Sequence, residues 1–473
     1  MAAPKPHSDQ LLQQYAAMHS LLHARPAEAV VPPAVHSDKP GTWSYDTINR
    51  RLREEILKRT FDENASFLAS HPESLRRLQA LDSEMAKSTT TTLRNLPECS
   101  GDDANRVYRL CVEQADRDFW NKDVLAKWIS QGCTWASAPW LVSELFFYRR
   151  ISHAFDHFAT GHDPFEKQKL SSLRGCSPVL FQLSEAFSRL RNAKCEPEFK
   201  AALRSAVLGA LEGNSADLSL WPCSHDEEDE AEGPETSASS PRVDNVDEMA
   251  CLLADDFELF HDDLQRIAAN REKERIAYFF IDNAGSEILS DMWLACILIE
   301  HAVVDKVVFY VKQYPIFVSD ALPKDFDLTF QWMQQRASQR PELSELADRW
   351  LSYVKTGKWE VKASTYFCMP FEYSNMPKDL YEELRDKAAI LISKGDANYR
   401  RILGDRLWPF DTPFPEVAGY MPCPLLALRK LKADIACGIS NEKQKQAQES
   451  DPNWMVNGKW GVIHYFNPST QGK

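Results

Sequence analysis

The spacing of apolar residues changes character part-way along the chain. From Trp43 it is helical: Ile48, Leu52, Ile56 and Phe61 form one stripe beside the charges of NRRLREEILKR. Helical spacing continues over 66–86, 102–130, 141–159 and 177–191, and strand-like runs are almost absent before residue 200. Further helices are predicted over 199–211 and through MACLLADDFELFHDDLQRI. From Ile276 continuous apolar runs take over. IAYFFI, KVVFYVK and AAILIS read as buried strands, and LLALRKLKADIACGI and KWGVIHYF as two more, the last at an edge. Helical runs over 286–302, 324–338 and 378–388 lie between them. This alternation predicts an α/β architecture, a three-layer α/β/α domain with a largely parallel central sheet, preceded by an N-terminal helical domain. The expected division is a poorly ordered segment over 1–42, a helical accessory domain over 43–200 and the α/β/α domain over 201–473. Residues 225–245 are almost without apolar side chains and are expected to form a disordered acidic insertion.

Charge alters this picture little. The formal net charge of −14 is mostly local, because ten acidic residues against one basic residue, Arg242, lie between Asp226 and Glu248. No basic stripe of a nucleic-acid binder remains. No run of about 18 uncharged apolar residues offers a membrane span. The start, MAAPKPHSDQLLQQY, has neither a signal-peptide core nor a transit-peptide composition. The eleven cysteines are scattered, without a CxxC pair, as expected of buried thiols in a reducing compartment. A cytoplasmic protein is expected, with a nuclear location also open, as a monomer acting on a small molecule with no nucleic-acid or membrane partner.

Candidate chemistry gathers where predicted strands end. In IAYFFIDNAGSEILSDMWLACILI a strand, a polar turn and a helix follow one another, with Asp282 and Asn283 at the strand's carboxyl end. Ligands bind there in open α/β sheets, and a divalent metal on this pair is the expectation. Asp320 follows the next strand, and Gly395-Asp396-Ala397-Asn398-Tyr399-Arg400 the third. If the three strands are parallel neighbours, Asp282, Asn283 and Asp320 supply hard oxygen ligands for Mg²⁺ or Mn²⁺. The same residue types also cap helices, so pattern alone leaves both readings open.

Lys394, Arg400, Arg401, Arg406, Arg429, Lys430 and Lys432 supply cations suited to a phosphoryl group. A solvated basic edge is the alternative. If 429–432 is a strand, Lys430 and Lys432 share a face opposite Arg429. Upstream, Glu144, Tyr148 and Arg149 either line a cleft or place a Glu–Arg pair on the surface. GxxxxGK[ST], GxSxG, HExxH and GxGxxG are absent, against a P-loop, a serine hydrolase, a zincin or a dinucleotide fold.

Taken in order over about 43–466, APWLVSELFFYRRI, NSADLSL, FFIDNAGSEILSDMWLA, YPIFVSD, KGDANYRRILGDR and LLALRKLKADIACGI resemble the damage-control phosphatase family. This is a former unknown-function domain family, and the resemblance is to its eukaryotic sugar-phosphate phosphatase and acidic residue methyltransferase subfamily. It implies a metal-dependent phosphatase of reactive sugar phosphates such as fructose 1-phosphate and fructose 6-phosphate, working with Mn²⁺, Co²⁺, Ni²⁺ or Mg²⁺. It puts the metal on Asp282, Asn283 and Asp320, with Lys432 completing the catalytic set. Substrate contacts fall on Asp282, Asn283, Glu287, Asp396, Ala397, Asn398, Tyr399, Arg400 and Lys432. A metal-activated water would attack the phosphorus. One departure stands out: the subfamily's Arg-Thr-x-Lys motif reads Arg429-Lys430-Leu431-Lys432 here. Two rival functions remain from the sequence. One is S-adenosylmethionine-dependent protein-glutamate O-methyl transfer involving Glu287, and the other a non-catalytic interaction through the acidic segment.

Overall fold

The structure is a computed structural model that describes residues 6–25, 30–98, 107–190, 196–213 and 251–470. The acidic stretch expected to be disordered over 225–245 lies outside the described residues. Seven strands form one sheet: β1 (Leu252–Asp255), β2 (Ile276–Phe280), β3 (Lys306–Lys312), β4 (Trp359–Ser364), β5 (Ala388–Lys394), β6 (Leu425–Lys430) and β7 (Gly461–Phe466). Their order is β1-β7-β6-β5-β2-β3-β4. The run β6-β5-β2-β3-β4 is parallel, and β7 joins β6 antiparallel and β1 parallel. From β2 the chain moves outward to β3 and β4, then returns to β5 on β2's other side. A switch point therefore lies at the carboxyl ends of β2 and β5, where such sheets bind ligands.

Alternate strand residues feed two cores, as the two-residue period of a strand requires. Tyr278, Phe280, Val308, Tyr310 and Leu391 face one core, which continues without a break into the helices that begin at Trp43. Ala277, Phe279, Val307, Phe309, Ile390 and Ile392 face the other. There they meet the helices Ser177–Leu190, Glu196–Gly213 and Ser286–Glu300, and the boundary expected at 200/201 lies within the second of these. The helix Ser286–Glu300 is buried on all sides up to Ile299. Its Leu, Ile and Met side chains each contribute about 1.5–3 kcal/mol by leaving water.

Four expectations are corrected. Where 1–42 is expected to be poorly ordered, Pro6–Met18 is a helix whose Leu11, Tyr15 and Met18 are buried. The three recur at helical spacing, and Gln14 seals the exposed edge of β4 by donating to the Ala363 carbonyl (3.1 Å) and accepting from Thr365 N (2.9 Å). The helix expected through 249–267 begins only at Phe257, because Leu252–Asp255 pairs with β7 as β1. KWGVIHYF, expected at an edge, lies inside the sheet as β7, paired with β1 on one side and β6 on the other, and β4 is a strand that the apolar pattern does not predict. Among the described residues no helix is long and apolar enough to cross a membrane, and the described cysteines are free thiols.

Candidate metal centre at the carboxyl ends of the strands

Beyond Phe280 the β2–β3 ladder continues for one step, as Ile281 N donates to the Tyr310 carbonyl (3.0 Å). The turn after β2 then zips to the segment after β3: Ala284 N donates to Ser319 O and Ala321 N to Asp282 O, each at 2.8 Å. This second zipper brings Asp282, Asn283 and Asp320 side by side, all buried. Phe317 (φ 49°) and Val318 (φ 68°) hold left-handed backbone just before Asp320. For a β-branched residue such as Val318 that is a strained conformation, of the kind that collects at functional sites.

Asn283 is fixed from three directions. Its Nδ2 donates to Asp282 Oδ2 (3.0 Å) and Glu287 Oε2 (2.9 Å), and its Oδ1 accepts from Ser319 Oγ (2.7 Å). Lys312, the last residue of β3, lies between the two aspartates: its Nζ is 2.9 Å from Asp320 Oδ2 and 3.6 Å from Asp282 Oδ1. The same ammonium donates to the Ile281 carbonyl at 2.6 Å. From β5 comes Gly395, at φ +84°, where a Cβ would stand 1.8 Å from Asp282 Oδ2. Only glycine fits so close to that carboxylate.

Asp396 opens the helix Asp396–Leu403, and its Oδ1 accepts from Arg429 Nε (2.7 Å) and the backbone N of Lys432 (3.1 Å). Arg429 also donates to the carbonyls of Ile435 (2.6 Å) and Ala433 (3.0 Å), which folds the chain after β6 back over the site. Lys432 is thereby presented to the cavity. Lys430 is not. It donates to the Lys459 carbonyl (3.0 Å) and pairs with Glu212, so the shared face expected for Lys430 and Lys432 is corrected. The strand ends at Lys430, and the two-residue alternation ends with it.

The resulting cavity is about 50 Å³. Asp282, Asn283, Asp320, Asp396, Ala397 and Lys432 line its floor, and Trp43, Thr47, Arg51, Trp140, Glu144 and Phe317 its roof, with Arg400 between them. Arg400 lies over the Trp140 ring (3.6 Å) and binds Glu144 Oε2 (2.7 Å) and Asp405 Oδ1 (2.8 Å). Burial pushes the Glu144 carboxyl above its usual range, and the facing Arg400 guanidinium partly offsets this. Larger hollows of about 500 Å³ beside β4 and about 440 Å³ at the amino ends of β2 and β5 lie away from this corner.

Several sequence candidates fall outside the cavity. Asn398 Nδ2 donates to Lys394 O (2.8 Å) and Phe280 O (3.2 Å), and its Oδ1 accepts from Tyr373 OH (2.6 Å). Tyr399 is buried with its hydroxyl 3.0 Å from His464 Nδ1. A helix turns about 100° per residue, so 396, 397 and 400 share the cavity face while 398 and 399 turn away. Glu287 stands behind Asn283, where Lys394 Nζ reaches it at 3.1 Å. Arg149 is buried against Asp116, and Tyr148 packs on Phe317 (5.2 Å); the two form no pair with Glu144 on the surface. Sequence reasoning missed Lys312 and the roof residues Trp43, Thr47, Arg51 and Trp140. The one signal for Lys312 is a cation ending an otherwise apolar strand.

Asp282, Asp320 and Asn283 form a hard oxygen set that suits a divalent ion. Among the described residues no group of three or more His, Cys, Asp and Glu is placed to hold a metal, and the third oxygen here belongs to an amide.

A family model described as "Damage-control phosphatase ARMT1-like domain" matches residues 43–447. Damage-control phosphatase ARMT1 of Macaca fascicularis is 31% identical over 467 residues, covering 93% of this chain and 100% of its own. The Homo sapiens relative of that name is 31% identical over 472 residues with the same shares. A solved DUF89 family protein from Pyrococcus horikoshii aligns with 69% of this chain and 88% of its own, at 16% identity and a TM-score of 0.35.

Proposed function

This chain belongs to the damage-control phosphatase ARMT1-like family, and on that premise we propose that it hydrolyses phosphomonoesters of reactive sugar phosphates with a divalent metal on Asp282, Asn283 and Asp320. Fructose 1-phosphate and fructose 6-phosphate are the proposed substrates, and Mn²⁺, Co²⁺, Ni²⁺ or Mg²⁺ the metals. The reading is carried by two carboxylates, one amide and Lys432 converging in a single small cavity at the switch point of the sheet. When bound, the ion supplies Lewis-acid charge and an acidified water.

The chain's own residues do the rest. Asp282 and Asp320 are locked by the backbone zipper, and Asn283 by Glu287 and Ser319, so the donors need no rearrangement. Lys432, held in place by the bond from its backbone N to Asp396, offers its ammonium to the phosphoryl oxygens. Trp43, Trp140 and Arg51 bound the space left for the leaving group. Methyl transfer through Glu287 has no comparable support, because that carboxylate is sealed behind Asn283.

The test is a screen of sugar phosphates against the four metals, with Asp282→Ala beside the wild type. Wild-type turnover with an inactive variant is expected; undiminished hydrolysis by Asp282→Ala would overturn the assignment.

A further inference from the structure

We propose that Lys312 is a positioning residue of this site: acting through Asp282 and Asp320, its charge makes the metal-loaded centre cationic and thereby sets its affinity for the phosphoryl group. The inference deepens the phosphatase reading and rests on it.

The observations are geometric. Lys312 is 2% exposed, and its ammonium meets three oxygens, those of Asp320 (2.9 Å), Asp282 (3.6 Å) and the Ile281 carbonyl (2.6 Å). An ammonium this deep persists only when paired, and its partners are the two carboxylates proposed to hold the metal. Without it those carboxylates, brought together from separate turns, would face each other as like charges. Two carboxylates and one ammonium leave the trio with a single negative charge, which a dication converts to a single positive charge. The same trio without Lys312 is neutral when loaded. A phosphoryl dianion entering this buried site therefore meets an attraction from the trio that a neutral trio would not add to that of Lys432. Lys432 reaches the substrate from the cavity wall, whereas Lys312 reaches it only through the aspartates.

The test uses full-length protein stripped of metal and reloaded with Mn²⁺, comparing wild type, Lys312→Met, Lys312→Gln and Lys312→Arg. Near-UV circular dichroism verifies the fold, and the Gln variant carries the test if the Met variant does not fold. Calorimetry measures Mn²⁺ affinity first, then the affinity of the loaded protein for inorganic phosphate. The neutral variants should bind Mn²⁺ at least as tightly as wild type, because a repelling cation is gone. They should bind phosphate roughly tenfold or more weakly, as expected for one removed charge at close range in a buried site, and Lys312→Arg should recover part of the loss. Unchanged phosphate affinity in a folded neutral variant would overturn the proposal. So would loss of Mn²⁺ binding in that variant, which would mark Lys312 as a scaffold for the carboxylates alone. Both readouts are independent of turnover, so a chain inactive on every sugar phosphate but showing this split would fail the substrate assignment and keep the role of Lys312. A wild-type chain that binds no divalent ion would overturn the metal reading and this inference with it.

Discussion

Two lysines flank β2, and their surroundings differ in one respect. Lys312 ends β3 and Lys394 ends β5; each is buried and each faces two carboxylates. Lys394 Nζ stands 3.1 Å from Glu287 Oε1 and 3.0 Å from Asp291 Oδ1, and donates to the Ala210 carbonyl at 2.5 Å. Glu287 and Asp291 are fully enclosed, whereas Asp282 and Asp320 open on the cavity. Enclosure pushes the Asp291 carboxyl up to about 7, against the pull of Lys394. One cluster is thus cut off from ligands and serves through Glu287, which orients Asn283. The other faces the cavity, where on the proposed reading an ion would join Lys312 on the same two carboxylates. Access to the cavity, rather than residue type, separates support from chemistry.

The contrast can be broken most severely at Lys394. Lys394→Met leaves Glu287 and Asp291 enclosed without their ammonium and should cost about 3–5 kcal/mol in urea denaturation; Lys312→Met should cost clearly less. Equal losses would erase the distinction. Next, Gly395→Ala drives a Cβ into Asp282 and should lower kcat/KM by about a hundredfold, in line with a 1 Å misplacement of a catalytic group. Steady-state kinetics on the loaded enzyme checks it.

A smaller effect appears in pH dependence. Unfolded, Asp291 loses its proton near the ordinary value of 3.8, and folded it keeps it to about 7. Across that window the folded chain binds the extra proton, so stability falls as pH rises, by up to about 1.4 kcal/mol per unit, and levels off above it. Asp291→Asn should flatten this slope in denaturation curves taken from pH 4 to 7. The smallest effect is expected at Lys430, whose ammonium points to Glu212 and Lys459. Lys430→Thr should leave kcat/KM within about twofold, because the side chain lies outside the cavity and its loss falls on the Glu212 pair, so that any cost appears in stability.

β2, β3 and β5 were legible in the sequence because a strand buried on both faces reads as an unbroken apolar run. β4 was not: WEVKAS mixes polar and apolar positions because its outer neighbour is the edge-sealing helix rather than another strand. β1 is four residues long and exists only by pairing with β7, a long-range preference that local pattern does not carry. The floor of the site was legible as well, since Asp282, Asn283, Asp320 and Asp396 punctuate apolar runs. Lys312 was hidden, because a lysine ending a strand reads as a solvated terminus. Trp43 and Arg51 reach the cavity from more than 200 residues away, and nothing local marks them for it. Asn398 and Tyr399 mislead in the opposite sense, since a contiguous motif wound into a helix cannot present every member to one side.

The place of β7 also orders events in time. It lies between β1 and β6, and the loop carrying Lys432 is tied to the chain just before it, with Leu431 N donating to Trp460 O (2.8 Å) and Gly458 N to Leu431 O (2.9 Å). As the polypeptide leaves the ribosome, β1 waits for about two hundred residues without its sheet partner. The loop that presents Lys432 stays unfastened until the stretch around Trp460 emerges. The corner of Asp282, Asn283 and Asp320 can close far earlier, so on the proposed reading the nascent chain holds its ion-binding residues well before Lys432 is in place.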